Sequence, residues 1–216
     1  MERLLPSVVT FFALSFFVGL LAYPLLYVST LIHEVGHYIG GRLAKLQGQH
    51  HITLGLGEKR LEFRFLGASF SIGWIPVHFG QYRVEPWPEN LTYLQNLLCL
   101  SGGLLVNLLV SILSFGLSYQ VSGGLGAESI VSVLYLPLLS GWTLMFNAQN
   151  SPVHDLEGLA AVLYLLGMLN SLIFWWSFIP IRMGTFSSDG VWIWGAIAEW
   201  LCRSRAKDTS QSTTLD

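Results

Sequence analysis

The sequence predicts an all-α, polytopic membrane protein, a helical bundle with a small β-hairpin or sheet between its first and second spans. Three observations carry that fold class. Hydrophobic residues are 52% of the 216-residue chain and charged residues 11%, where a soluble domain carries about 25% charge to cover its surface. No Asp, Glu, Lys, Arg or His occurs from Leu4 to Ile32, a run longer than the roughly 20 residues that cross a bilayer. Residues 50–85, by contrast, alternate apolar and polar positions between glycines, the period of half-buried strands. A chain of this size makes one domain, residues 1–202, with a short polar tail after it. The net charge of −2, with no Lys/Arg-rich stripe, argues against a nucleic-acid partner.

The first predicted span runs from Leu4 to about Ala44 and bends at Pro24, because an interior proline removes a backbone hydrogen bond. Met1-Glu2-Arg3 ahead of it has the outline of a signal peptide. The apolar run is too long for an h-region, however, and no A-x-A-like site follows, so the span is expected to be retained. Arg42, Lys45, Lys59, Arg60, Arg64 and Arg83 follow the span, and positive flanks favour the cytosolic side. Leu61–Phe65 and Ala68–Trp74 are the clearest strands of the 50–85 element. Strand edges left unpaired in lipid need a partner, and a substrate segment added as a further strand is one candidate.

Leu91–Tyr119 reads as the second span and Gly158–Ile181 as a later one, broken at Pro180 and Gly184. Ser129–Phe146, interrupted by Pro137 and Gly141, is expected to be a re-entrant or interfacial hairpin with both ends on the far side, the competing arrangement being a full span. Val191–Leu201, with Trp192, Trp194 and Trp200, suits the membrane interface, and 203–216 reads as a disordered cytoplasmic tail.

Chemistry enters at His33-Glu34-Val35-Gly36-His37, directly after the uncharged run. Two histidines four apart share one face of a helix that turns about every 3.6 residues, so both imidazoles can hold one metal ion with Glu34 beside a bound water. Ionisable residues at membrane depth are costly and mark function there. Asp189, after the helix break at Pro180 and Gly184, is the natural third ligand, set against the ordinary reading of Asp-Gly as a turn; Asp155 and Glu157 come next. Ser101-Gly102-Gly103 allows close helix approach, and Asn107 on the same span is read equally as packing or as function. Cys99 and Cys202 form no CxxC pair, and Cys99 is read as core packing. His50, His51, His78 and His154 lack ligand spacing and read as surface or interfacial side chains.

These motifs resemble the site-2 protease family of intramembrane zinc metalloproteases, in the family's order and over most of residues 4–200. The matches are His33–His37, Ser101-Gly102-Gly103 with Asn107, and Ile179-Pro180 with Ser188-Asp189-Gly190. Gly103 stands where the family usually has proline, and Ser177 where it usually has asparagine, with Asn170 two helical turns earlier. The resemblance implies Zn2+ held by His33, His37 and Asp189, Glu34 as general base, and Asn107, Asn170 and Gly190 shaping the substrate site. It implies an endopeptidase in the bilayer whose partners are transmembrane segments of other proteins, with the motif end of the first helix towards the cytosol. A related enzyme clipping short membrane-bound peptides is the nearest variant. The alternative from another class is an inactive protein of the same fold that binds partner helices, and an intact Glu34 speaks against it. A metal transporter would need a polar path that these spans lack.

Overall fold

A 40-residue helix, α1 (Leu4–Leu43), organises the fold, with Pro24 inside it. In the computed structural model residues 4–88, 90–121, 158–184 and 186–212 are described. After α1 come the strands β1 (Gln49–Phe65) and β2 (Ala68–Glu85), then α2 (Tyr93–Val121) and α3 (Gly158–Phe178). A two-residue hairpin, β3 (Arg182–Met183) and β4 (Phe186–Ser187), leads into α4 (Asp189–Ser212). The chain is thus mainly helical with a small antiparallel sheet. Among the described residues α2 and α3 are long and apolar enough to cross a membrane.

The faces of α1 meet different partners, and helical periodicity assigns them. Tyr27, Leu31, Val35 and Tyr38 lie on one stripe and pack against Ile52, Leu54, Ala68 and Phe70 of the sheet. Gly36 and Gly40, four apart, face α2. A Cβ at Gly36 would stand 2.6 Å from the carbonyl oxygen of Gly102, and a Cβ at Gly40 or Gly102 would strike the opposite backbone as well. Ser29 faces α3, where its hydroxyl accepts a hydrogen bond from Asn170 Nδ2 at 2.9 Å. The helix stops where Lys45 takes a left-handed φ of 56° and the Leu46 amide donates back to the Gly41 carbonyl at 2.9 Å. That turn delivers the chain into β1.

The sheet is wider than a simple hairpin. His50 to Leu54 has neighbours on both sides, Val84 to Gly80 along one and Ala68 to Ile72 along the other, while Lys59 to Phe65 folds back over Gly73 to Ala68. The outer ribbon carries exposed Leu61, Phe63 and Phe65 with Lys59, Arg60 and Arg64 interleaved. Helices α2 and α3 pack through Phe115, which lies edge-on to Tyr164 with centroids 5.4 Å apart and needs the missing side chain of Gly167. Ser111 and Ser118 donate across that interface to the carbonyls of Gly167 and Ala160, at 2.9 and 2.8 Å. Such bonds average about 0.6 kcal/mol in a bilayer, so close packing of small residues and aromatic rings contributes more.

Several expectations need adjusting. The last helix opens at Asp189 rather than Val191 and continues to Ser212, where a break after Leu201 and a disordered tail from 203 were expected. Arg203, Arg205, Ala206 and Lys207 are good helix formers, and no glycine or proline interrupts them. His50 is 2% exposed, not a surface residue, because the sheet flanks it on both sides. The 129–146 segment, His154, Asp155 and Glu157 lie outside the described residues, as does the side chain of His78.

The glycine contact predicts a sharp asymmetry. Gly36→Ala and Gly102→Ala should each cost about 1–3 kcal/mol by overpacking, whereas Gly116→Ala, with open space around it, should be neutral or mildly stabilising. Thermal unfolding of the purified protein in detergent reads the difference.

Candidate metal centre

His33, Glu34 and His37 are all buried, at 5–6% exposure, on the turn of α1 that faces α2 and the start of α4. Their partner comes from the far end of the chain. Helix α3 stops at Phe178, and a polar knot around Ser188 shapes the break that follows. The Ser188 amide donates to the Ile181 carbonyl at 3.0 Å, its hydroxyl donates to Ile179 at 2.6 Å, and the Ile181 amide donates to that hydroxyl at 3.0 Å. Asp189 therefore opens α4 pointing at α1. Gly190 is required beside it, since a Cβ there would collide with the carbonyl of Phe178.

Three ligand atoms converge. His33 Nε2 is 2.9 Å from Asp189 Oδ2, His37 Nε2 is 3.3 Å from the same oxygen, and the two Nε2 atoms are 3.2 Å apart. Donors about 2.0–2.1 Å from a tetrahedral zinc ion are separated by about 3.3 Å, so the spacing is that of three corners of a metal tetrahedron. The tautomer of His37 supports the same conclusion. Its Nδ1 lies 2.9 Å from the Cys99 carbonyl, which only accepts, so Nδ1 carries the proton. Nε2 of the neutral ring is then a bare lone pair facing a carboxylate oxygen, an arrangement that a cation between them relieves. The three residues could hold a metal, and their two imidazoles and one carboxylate fit zinc. The Cys99 carbonyl orients the His37 imidazole, as the outer partner of a metal-binding histidine would.

Gly103 makes room for this. A Cβ on it would lie 2.6 Å from His37 Nε2, 2.7 Å from His33 Cε1 and 2.9 Å from His33 Nε2. Glu34 sits across the centre against Gly80 of β2, where a Cβ would strike its carboxylate. Two cavities share Glu34, Phe79, Gly80, Ser187 and Asp189. One, of about 620 Å³, runs between α1 and α3 and is walled by Leu26, Thr30, Leu172, Ile173 and Trp176. The other, of about 500 Å³, opens towards Gln81, Tyr82, Trp87, Leu100 and Trp192.

The remaining sequence candidates fall at different distances from the chemistry. Asn107 is completely buried on α2 with neither side-chain atom hydrogen bonded among the described residues. Asn170 is completely buried and tied to Ser29 and the Leu166 carbonyl. Neither lines the two cavities, whereas Ser177 does line the larger one. Tyr82 and His50 had no sequence signal. The Tyr82 phenol meets His50 Nδ1 at 2.7 Å. Burial, reinforced by Arg42, lowers the imidazole of His50 below its ordinary range, and burial raises the Tyr82 phenol above its own. His50 is thus neutral and Tyr82 keeps its proton at neutral pH.

Gly103→Ala should displace both imidazoles and lose the metal as completely as Asp189→Ala does, although its side chain has no ligand atom. Metal content of the purified variants by elemental analysis is the check, and a full equivalent of zinc in Gly103→Ala would contradict the geometry.

No curated protein matches the chain in sequence. The family model described as Peptidase family M50 matches residues 21–215, which spans α1 from before the HExxH motif, the sheet, both apolar helices and α4. With the metal-ligand geometry and the family match in agreement, the chain belongs to peptidase family M50, the site-2 protease family of metalloproteases.

Proposed function

We propose that the protein is a zinc-dependent intramembrane endopeptidase that hydrolyses peptide bonds in or beside transmembrane segments of other proteins, with Glu34 as general base. The observation that carries this reading is the convergence of His33, His37 and Asp189 on one point beside Glu34, at the end of a helix uncharged from Leu4 to Ile32. His33, His37 and Asp189 would hold the zinc ion, which would supply Lewis-acid polarisation of a carbonyl and a water with a pKa of about 7. Glu34 takes the proton of the attacking water on a carboxylate oxygen and returns it to the leaving amine nitrogen. The ligand side chains and Glu34 are held by α1, α2 and the Ser188 knot, so they need no rearrangement before reaction.

The larger cavity suits the substrate by its chemistry. Its wall of Leu26, Leu172, Ile173 and Trp176 accepts apolar side chains, and among the described residues its only ionisable lining groups are those of the centre itself. A helical peptide bond is shielded, so the segment enters extended. Gly80 of β2 presents its backbone to the Glu34 carboxylate at the edge of the sheet. An extended substrate pairing with that edge lies across the centre, the strand addition anticipated for the 50–85 element. In this reading α1, α2 and α3 cross the bilayer, the basic residues after α1 place the centre near the cytosolic face, and the exposed Leu61, Phe63 and Phe65 ribbon rests in the membrane interface.

Glu34→Gln should retain zinc and lose at least about a hundredfold in cleavage, the usual contribution of a positioned base, with a reporter carrying an apolar segment as substrate. Normal cleavage by that variant would remove Glu34 from the mechanism. Ile173→Asp should keep zinc and lower kcat/KM for the same reporter by about tenfold or more, because a carboxylate then faces the apolar segment. Parallel measurement of zinc content and cleavage separates the two roles.

A further inference from the structure

The ring of Tyr82 neighbours two histidines of different standing. One is His37, nearly parallel to it at 15° with centroids 6.3 Å apart; the other is His50, at 26° and 5.9 Å. The hydroxyl reaches His50 Nδ1 at 2.7 Å. Tyr38 of α1 closes His50 from its edge, with centroids 5.2 Å apart at 88°. The phenol tip also lies over Gly41, where any Cβ would occupy its place. The strand that carries Tyr82 also meets the base, since the Glu34 carboxylate packs against Gly80 two residues away.

We propose that Tyr82, locked by its hydrogen bond to the buried His50, is a positioning residue that fixes both the His37 imidazole and the Glu34 carboxylate. This rests on the metal reading proposed above and deepens it. His37 is held in its ring plane by the Cys99 carbonyl, which leaves rotation of the ring about that bond unrestrained from α2 alone. The Tyr82 face supplies the missing restraint, and aromatic pairs at this separation carry a geometric preference. A phenol free to turn would release the His37 face and shift the strand that holds Glu34. The hydrogen bond to His50 prevents both, which accounts for a histidine at 2% exposure that stands outside the candidate ligand group and lines neither of the two cavities at the centre. The strand β2 is thereby part of the catalytic centre as well as a guide for substrate.

The test uses the full chain purified in detergent and Co2+ alone as the probe, with affinity measured by titration and ligand geometry by the visible absorption of the bound ion. Tyr82→Phe and His50→Ala should each weaken Co2+ binding about tenfold, the lower end of what outer partners of metal ligands contribute, and alter the absorption bands. The double variant should be no worse than either single one, because both remove the same bond. His50→Asn, which restores an acceptor near the position of Nδ1, should recover the wild-type spectrum. His51→Ala, one residue along the strand, should leave affinity and spectrum unchanged. Wild-type affinity and spectrum in both Tyr82→Phe and His50→Ala would overturn the proposal while leaving the metal centre intact. Failure of the wild-type protein to bind Co2+ would overturn the metal reading and this inference with it. If His50→Ala does not fold, Tyr82→Phe, which removes a single oxygen atom, decides the matter by itself.

Discussion

Helices α1 and α2 meet where Gly36 and Gly102 leave no space for a Cβ on either side, and the chemistry of the centre depends on that contact. The approach brings the Cys99 carbonyl within 2.9 Å of His37 and lays Gly103 directly under both imidazoles. Any larger residue on either backbone would separate the helices by about the width of a methyl group, and both relations would be lost. Gly36 lies inside the HExxH motif itself, between the base and the second histidine. The motif is thus a packing element as well as a ligand set, and the glycine is as constrained by α2 as the histidines are by a metal.

Burial sets the second constraint. Two imidazoles and a carboxylate at 5–6% exposure are expensive in an apolar setting unless each is answered by a partner. The neighbours come from three other elements: Cys99 of α2 for His37, Asp189 of α4 for both histidines, and Gly80 of β2 against Glu34. None of these elements stabilises the cluster without the others. That explains why a short sheet and a two-residue hairpin are retained in a chain otherwise built of apolar helices.

A second polar layer lies deeper in the bundle. Ser29 to Asn170, Ser111 to Gly167 and Ser118 to Ala160 tie α1, α2 and α3 together through hydrogen bonds that small side chains make at close range. Their individual contributions are modest, but each is specific to one register of the helices. The register matters because Ser177, near the end of α3, is followed within a dozen residues by the Ser188 knot that aims Asp189. Packing deep in the bundle and ligand placement at its end are two ends of the same helix.

The sequence by itself determined the elements that depend on local period and on chemistry close in the chain. The uncharged run before His33, the four-residue spacing of the histidines, the alternation of residues 50–85 and the break at Pro180 each have a physical cause within a few residues, and α1, the sheet, α2, α3 and the ligand pair follow from them. Asp189 was legible as a candidate third ligand because it follows the helix break at Pro180 and Gly184 in a chain that already carries the HExxH pair, although Asp-Gly by itself reads as a turn. The tertiary structure alone decided what depends on residues far apart. His50 carries no pattern of its own, and only the pairing of β1 with both halves of β2 buries it against Tyr82. Gly103, read as a departure from a family's proline, is explained by two imidazoles that arrive from another helix. Asn107 and Asn170, attractive as polar residues on apolar spans, lie off both cavities because helix rotation, which composition does not encode, turns them into the bundle.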